Sequence, residues 1–253
     1  ELTQLQTALQ SQIDRLGQYS FGDGSRVIGG KPTVNVEYHY VKIETGAENY
    51  LDQFVGTTIT GSSTGVEAEV QSVIQADNTD PATLYVKYQN SGTDQQTRTF
   101  SAGETLSASI TTGTITAEVA GGTGSTINDP IGKGSAVNIE EGVYFIAGTF
   151  VHVPTDTLIL DKYSNTPSYT IGLKVTEEII DSATDITLTD NALGTPNEAA
   201  PGATRYTIST ELVKDSLDLD ARSVDSYIML MNIQDGKEIK NDVDKLDTGL
   251  TER

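Results

Sequence analysis

Val137-Asn138-Ile139-Glu140-Glu141-Gly142-Val143-Tyr144-Phe145-Ile146-Ala147-Gly148-Thr149-Phe150-Val151-His152-Val153-Pro154 carries the reading that decides the fold. The apolar runs Val137–Ile139, Val143–Ile146 and Phe150–Val153 are cut by turn chemistry at Glu141-Gly142, Ala147-Gly148 and Pro154-Thr155, and Leu158–Leu160 follows. Short apolar runs at such spacing, with no helical pattern between them, read as consecutive antiparallel strands. Downstream the pattern continues through Tyr169–Val175 and Arg205–Leu212. Tyr227–Ile233 and Lys237–Ile239 then flank Gln234-Asp235-Gly236, an Asp-Gly hairpin signal.

Upstream the character is also β. Val34, Val36, Tyr38 and Tyr40 alternate with Asn35, Glu37 and His39, the period of a half-buried strand. His39 falls on the polar phase and is expected to be exposed. Further strands are expected at Val66–Ile74, Leu84–Tyr88, Gln96–Phe100 and Thr114–Val119. This stretch contains an internal echo. Gly56-Thr57-Thr58-Ile59 leads to Ala68-Glu69-Val70, and Gly103-Glu104-Thr105-Leu106 leads to Ala117-Glu118-Val119, which suggests two similar hairpins in a small barrel or sandwich.

Only the beginning reads as helix. Leu2, Leu9 and Leu16 recur at seven-residue spacing, with Leu5 and Ile13 on the same stripe, and Gly17 stands where a C-terminal cap is expected. So short a helix is marginal alone in water. Its stripe must pack on its own domain or on copies of itself. The expected class is therefore mainly β: a short N-terminal helix followed by small antiparallel barrel or sandwich modules. The expected organisation is an N-terminal helix (1–20), a connecting β segment (21–50) and a small Gly/Thr-rich β domain (51–120). A Gly-rich linker (121–135) leads to an antiparallel domain with an acidic C-terminal part (136–253), expected to continue beyond the sequence given.

Composition removes several chemistries. The 253 residues contain no Cys, so there is no disulfide framework, thiolate metal site or cysteine nucleophile. His39 and His152 are the two histidines, and neither lies near a Gly-x-Ser-x-Gly turn. The formal charge of −20 disfavours nucleic acid and anionic membrane surfaces as partners. No apolar run reaches the ~18–20 residues of a membrane helix. Hydrophobic residues make up 36% of the chain, a share that points to several small cores or to stabilisation by oligomerisation. From Glu177 onward 17 acidic residues face 7 basic ones, a net −10 that serves solubility or docks a basic partner.

Carboxylate pairs that could serve a glycosidase are Glu140-Glu141, Glu177-Glu178 and Asp218 with Asp220, but neighbours on a strand point to opposite faces. The oxygen-rich clusters Asp77-Asn78-Thr79-Asp80, Asp190-Asn191 and Asp215 with Asp218 and Asp220 do not match a calcium loop. Gly121-Gly122-Thr123-Gly124-Ser125 lacks the lysine and following helix of a phosphate loop. No cofactor or metal is expected.

Longer strings carry a resemblance. Glu1–Gln6, Ile13–Gly17, Phe21–Ser25, Gln53–Gly61 and Leu84–Tyr88 are joined by Glu141-Gly142-Val143-Tyr144-Phe145, Leu160–Tyr169 and Ala199–Tyr206. Together these resemble the domain of unknown function DUF4815, found in tail and baseplate proteins of tailed phages, especially T4-like cyanophages. The resemblance implies a non-enzymatic virion component, a tail baseplate or tail-fibre part. Such a part would be a homotrimer assembling with other tail proteins. Within the strings, Tyr163, Asn165 and Pro167 form an expected corner, and Pro201-Gly202 an expected type II turn. The oligomer or packing interface is expected on Leu2, Leu5, Leu9, Ile13 and Leu16. Two rival expectations remain. One is a module binding host-surface glycan through Tyr38, Tyr40 and Tyr88 on an exposed sheet face. The other is a polysaccharide depolymerase using a carboxylate pair.

Overall fold

The computed structural model describes residues 2–46, 48–191, 193–194, 196, 198–202, 204–218 and 227–241, without the side chains of 2–7, 10, 48–49 and 240–241. Helix α1 (Leu2–Ser20) is followed by β1 (Ser25–Gly29), β2 (Pro32–Lys42) and a 3₁₀ segment (Glu48–Phe54). Next come β3 (Thr58–Gly61), β4 (Glu67–Ile74), β5 (Thr83–Asn90), β6 (Thr105–Ile110), β7 (Gly113–Glu118) and β8 (Ile131–Ile139). The chain continues through β9 (Gly142–Ile146), β10 (Thr149–Val153), β11 (Asp156–Asp161) and β12 (Tyr169–Ile180). A 3₁₀ turn (Ile186–Leu188), β13 (Arg205–Asp215), β14 (Tyr227–Gln234) and β15 (Lys237–Asn241) complete it. With 51% strand and 9% helix the protein is mainly β, its antiparallel sheets sandwich-like and not closed into a barrel.

Two compact units share the chain: residues 1–33, 137–158 and 168–253 form the first, and 34–136 with 159–167 the second. Gly121–Ser125 falls inside the second. In the first unit β1-β9-β10 make one sheet and β13-β12-β14-β15 another. The Ala147-Gly148 turn joins β9 to β10 with positive φ at both residues (49° and 79°), and Asp235-Gly236 joins β14 to β15 likewise (50° and 76°). These are the mirror-image turns whose twist matches a hairpin. Gly142 plays a different part from the expected turn. It is the first residue of β9, and a Cβ there would lie 2.2 Å from Gly30 N, so β1 can pair only against a glycine. Gly17 likewise is no cap. The helix runs on to Ser20, and Gly17 is buried where a Cβ would stand 2.4 Å from the Phe145 ring. Phe145 is itself packed with Phe21 and Phe150.

The second unit is built on a sheet of order β11-β8-β2-β5-β4-β3-β6-β7, with Val41, Leu51, Phe54, Ile59, Val70, Leu84 and Leu106 among its core residues. The sequence echo here is a structural repeat. Gly56 N–H donates to Val70 O (2.8 Å) while Val70 N–H donates to Thr57 O (3.0 Å). Gly103 N–H donates to Val119 O (3.0 Å) while Val119 N–H donates to Glu104 O (2.9 Å). Both glycines have φ +75°. Each is the left-handed residue of a G1 β-bulge, which explains why glycine opens both copies. β3 and β6 pair antiparallel through Ile59↔Ala108, Thr60↔Ser107 and Gly61↔Leu106, so a local two-fold axis passes through the Thr60–Ser107 pair. The order β4-β3-β6-β7 thus sets the two hairpins back to back.

Gln96–Phe100 is not a strand. The Asp94 carboxylate accepts from Gln96 N–H, Thr97 N–H and Thr97 Oγ1 (2.7–2.9 Å), and this local side-chain turn replaces ladder pairing. Phe100 is buried all the same, against Tyr88.

Candidate functional site

The described part of the α1 stripe is uncovered. Leu9 is 52% exposed, Ile13 49% and Leu16 68%, and Tyr19 nearby is 88% exposed. The side chains of Leu2 and Leu5 lie outside the described residues. The helix docks by a different face, the one carrying Gly17. From Leu2 to Ser20 its only charges are Asp14 and Arg15, which cancel in a chain of net −20.

A second feature lies on the outer edge of β7. Val119 bridges Ile43, Glu44 N–H donates to Glu118 O (2.9 Å), and Ala120 N–H donates to Lys42 O (2.9 Å). Among the described residues the pairing stops there. The chain turns away at Thr45-Gly46, with Gly46 at φ +104°, and returns as the 3₁₀ segment. Between that segment and β7 lies an open groove of about 870 Å³, lined by Glu44, Tyr50, Gln53, Thr105, Thr112 and residues 114–118. Tyr50 is 62% exposed.

Several carboxylates elsewhere are engaged locally. Glu104 is buried, its Oε2 accepting from Ser63 N–H, Ser63 Oγ and Thr64 N–H, and its Oε1 from Ser101 N–H (2.6–3.2 Å). Asp77 accepts from Thr79 Oγ1, Thr79 N–H and Asp80 N–H, which holds its carboxyl well below the usual carboxylate range. Lys162 Nζ lies 2.9 Å from Asp80 and 3.6 Å from Asp77. The 77–80 cluster is therefore a lysine-tied turn. Glu140 and Glu141 are exposed in the β8–β9 turn, and Glu141 Oε1 meets His152 Nε2 at 2.9 Å. Glu177 accepts from the Tyr206 hydroxyl, which raises that phenol's pKa. Asp220 lies outside the described residues. No group of three potential metal ligands occurs among the described residues, and no helix among them is long and apolar enough to cross a membrane.

The expected corner at Tyr163–Pro167 connects β11 to β12. Tyr163 packs edge-on against Tyr40 (4.9 Å), bonds Thr83 and lies under Lys42 Nζ (4.3 Å). Asn165 is exposed and Pro167 buried. The type II turn expected at Pro201-Gly202 is not formed, because the φ of Gly202 lies outside the left-handed region that turn requires. Pro201 instead bridges Thr189, and a Cβ on Gly202 would fall 2.2 Å from Leu188 O, so the glycine permits close backbone approach. His39 is half-buried rather than exposed. It packs edge-on against Tyr88 (5.1 Å), and burial followed by Lys133 lowers its pKa. Tyr38 and Tyr40 are buried, with Tyr38 stacked on Tyr85, and burial pushes the Tyr88 phenol up to about 12. These three tyrosines form no exposed platform. The groove residues Tyr50, Gln53, Glu44 and Glu118 carry no sequence motif. The echo was the signal that pointed near them.

An antiparallel, sandwich-like β protein with an uncovered apolar helix and an open strand edge is the class this architecture defines. A family model described as "Domain of unknown function (DUF4815)" matches residues 95–251, and the chain belongs to that family. No curated protein and no solved structure matches the chain.

Proposed function

We propose that this protein is a virion structural component of a tailed phage, a baseplate or tail-fibre part that works by assembling with itself, as a homotrimer, and with other tail proteins. The observation that carries the reading is the uncovered stripe Leu9, Ile13 and Leu16 on a helix of zero net charge. At −20 per chain, copies repel one another, and α1 is a surface along which they can meet without adding like charges. Covering the remaining half of three such side chains contributes roughly 1 kcal/mol each per subunit. Around an axis these contributions add, and they are set against the free-energy cost of association. The phage-tail setting rests on the resemblance of strings such as Glu141–Phe145 and Leu160–Tyr169. Glycan binding through Tyr38 and Tyr40 loses its support, because both are buried.

The test is the mass of the full chain in solution, by light scattering or sedimentation at 10–100 µM on the order expected for modest helix interfaces. Three times 27.0 kDa is expected. A variant carrying Leu9→Asp and Leu16→Asp should run as a monomer with unchanged β circular dichroism. A wild-type monomer throughout that range overturns the reading.

A further inference from the structure

We propose that the groove along the outer edge of β7 is a docking site for an extended, lysine- or arginine-bearing polypeptide segment of a partner protein, added to the sheet as one more strand. The internal repeat supplies the argument, which is independent of α1.

The two hairpins are equivalent, with Ala68, Glu69 and Val70 of the first matching Ala117, Glu118 and Val119 of the second. On the first hairpin the outer edge of β4 is covered by β5, through Val70↔Val86, Glu69↔Lys87 and Ala68↔Tyr88. On the second, Ile43 takes the place of Val86 and Glu44 follows it, after which the chain leaves. The rest of the place that β5 fills on one side is the groove on the other.

Backbone parity shows what the groove offers. The N–H and C=O of Val119 face Glu104 and Gly103, so those of Ile115 and Ala117 also face β6. Thr114 and Thr116 turn theirs outward, and among the described residues nothing accepts or donates there. A strand edge with unpaired groups, walled by the exposed Tyr50, is the geometry of strand addition.

Charge selects the occupant. Where β4 and β5 set Glu69 against Lys87, β7 sets Glu118 beside Glu44. Like charges placed across a sheet are unfavourable. A cationic side chain on the incoming segment offsets these two carboxylates; on the first hairpin Lys87 stands opposite Glu69 in the register, and Gln89 Nε2 donates to Glu69 Oε2 (3.3 Å). A second copy of this acidic chain would add carboxylates instead.

The experiment titrates the full ¹⁵N-labelled chain with the end-capped peptide Lys-Val-Thr-Val-Thr-Lys, and with the same peptide carrying glutamates for lysines. Expected are shifts centred on residues 113–118, at least tenfold slower amide exchange at Thr114 and Thr116, and at least tenfold weaker binding of the glutamate peptide. Thr116→Pro removes an outward N–H while leaving the Ile115 and Ala117 bonds to β6, and should weaken binding at least tenfold. Glu118→Gln should narrow the preference for lysine over glutamate and gives a second reading should the proline variant not fold. Unchanged exchange at Thr114 and Thr116, or no preference between the peptides, overturns the proposal. So does a neutral oligosaccharide that perturbs Tyr50 where the lysine peptide perturbs nothing.

Discussion

Replacing Glu104 by glutamine tests the claim that one buried carboxylate ties the second hairpin to the first. Glu104 is 5% exposed and immediately precedes β6, the strand that pairs across the local two-fold axis. Its Oε2 faces the N–H groups of Ser63 and Thr64 (both 3.2 Å), and its Oε1 faces the N–H of Ser101 (2.6 Å). Either orientation of a glutamine amide aims a donor at a backbone donor. Bonds to a charged acceptor contribute roughly 1.5–3 kcal/mol each, and a buried group left unsatisfied costs about 1–3 kcal/mol. The bonds share one carboxylate and are not additive, so a net loss of about 3 kcal/mol is expected. For a unit of this size that corresponds to a fall in Tm of roughly 10 °C. Urea and thermal unfolding can be followed by tyrosine fluorescence, since the chain has no Trp. Amide exchange at Ser63, Thr64 and Ser101 supplies a local readout. Glu118→Gln, an exposed carboxylate on the same hairpin, should stay within about 0.5 kcal/mol of wild type. If Glu104→Gln does the same, and the three amides keep their protection, the carboxylate is not the tie described.

The bulge glycines separate conformational cost from packing. Gly56→Ala places its methyl in open space, so the penalty of φ +75° acts alone, about 1–2 kcal/mol. Gly103→Ala has the same φ and also puts its Cβ 2.7 Å from Gly122 Cα, so it should be clearly the more destabilising of the two in urea titration. Equal losses would refute the packing difference. His39 should titrate below 6.5 by NMR, because burial and then Lys133 disfavour its charged form. The sign follows: the fold favours neutral His39, so that stability is present above the unfolded value near 6.5 and is lost as pH falls through the lower folded value. Lys133→Ala should move the midpoint upward.

How far the sequence could be read depends on which interactions are local. Ala147-Gly148 and Asp235-Gly236 were legible because a hairpin turn is settled by the residues inside it. The echo was legible because a G1 bulge demands glycine wherever it recurs. Gln96–Phe100 misled, since β propensity said nothing of the Asp94 side chain that captures the backbone. Pro201-Gly202 misled because a glycine conserves the same letter whether it supplies positive φ or close approach.

By itself, then, the sequence determined the antiparallel β class, the helix with its apolar stripe, the doubled hairpin and the excess of negative charge. Those follow from backbone periods, turn conformations and composition, which neighbouring residues set among themselves. Only the tertiary structure decided that Tyr38 and Tyr40 are buried, that His39 rests on Tyr88, that Gly17 seats α1 on Phe145, and that Glu104 reaches back to Ser63 and Thr64. It also decided that β4 is covered by β5 while, among the described residues, nothing pairs the outward groups of Thr114 and Thr116 on the equivalent β7. Burial and pairing are settled by partners tens of residues away in the chain, and no local pattern records which of two like strands finds one.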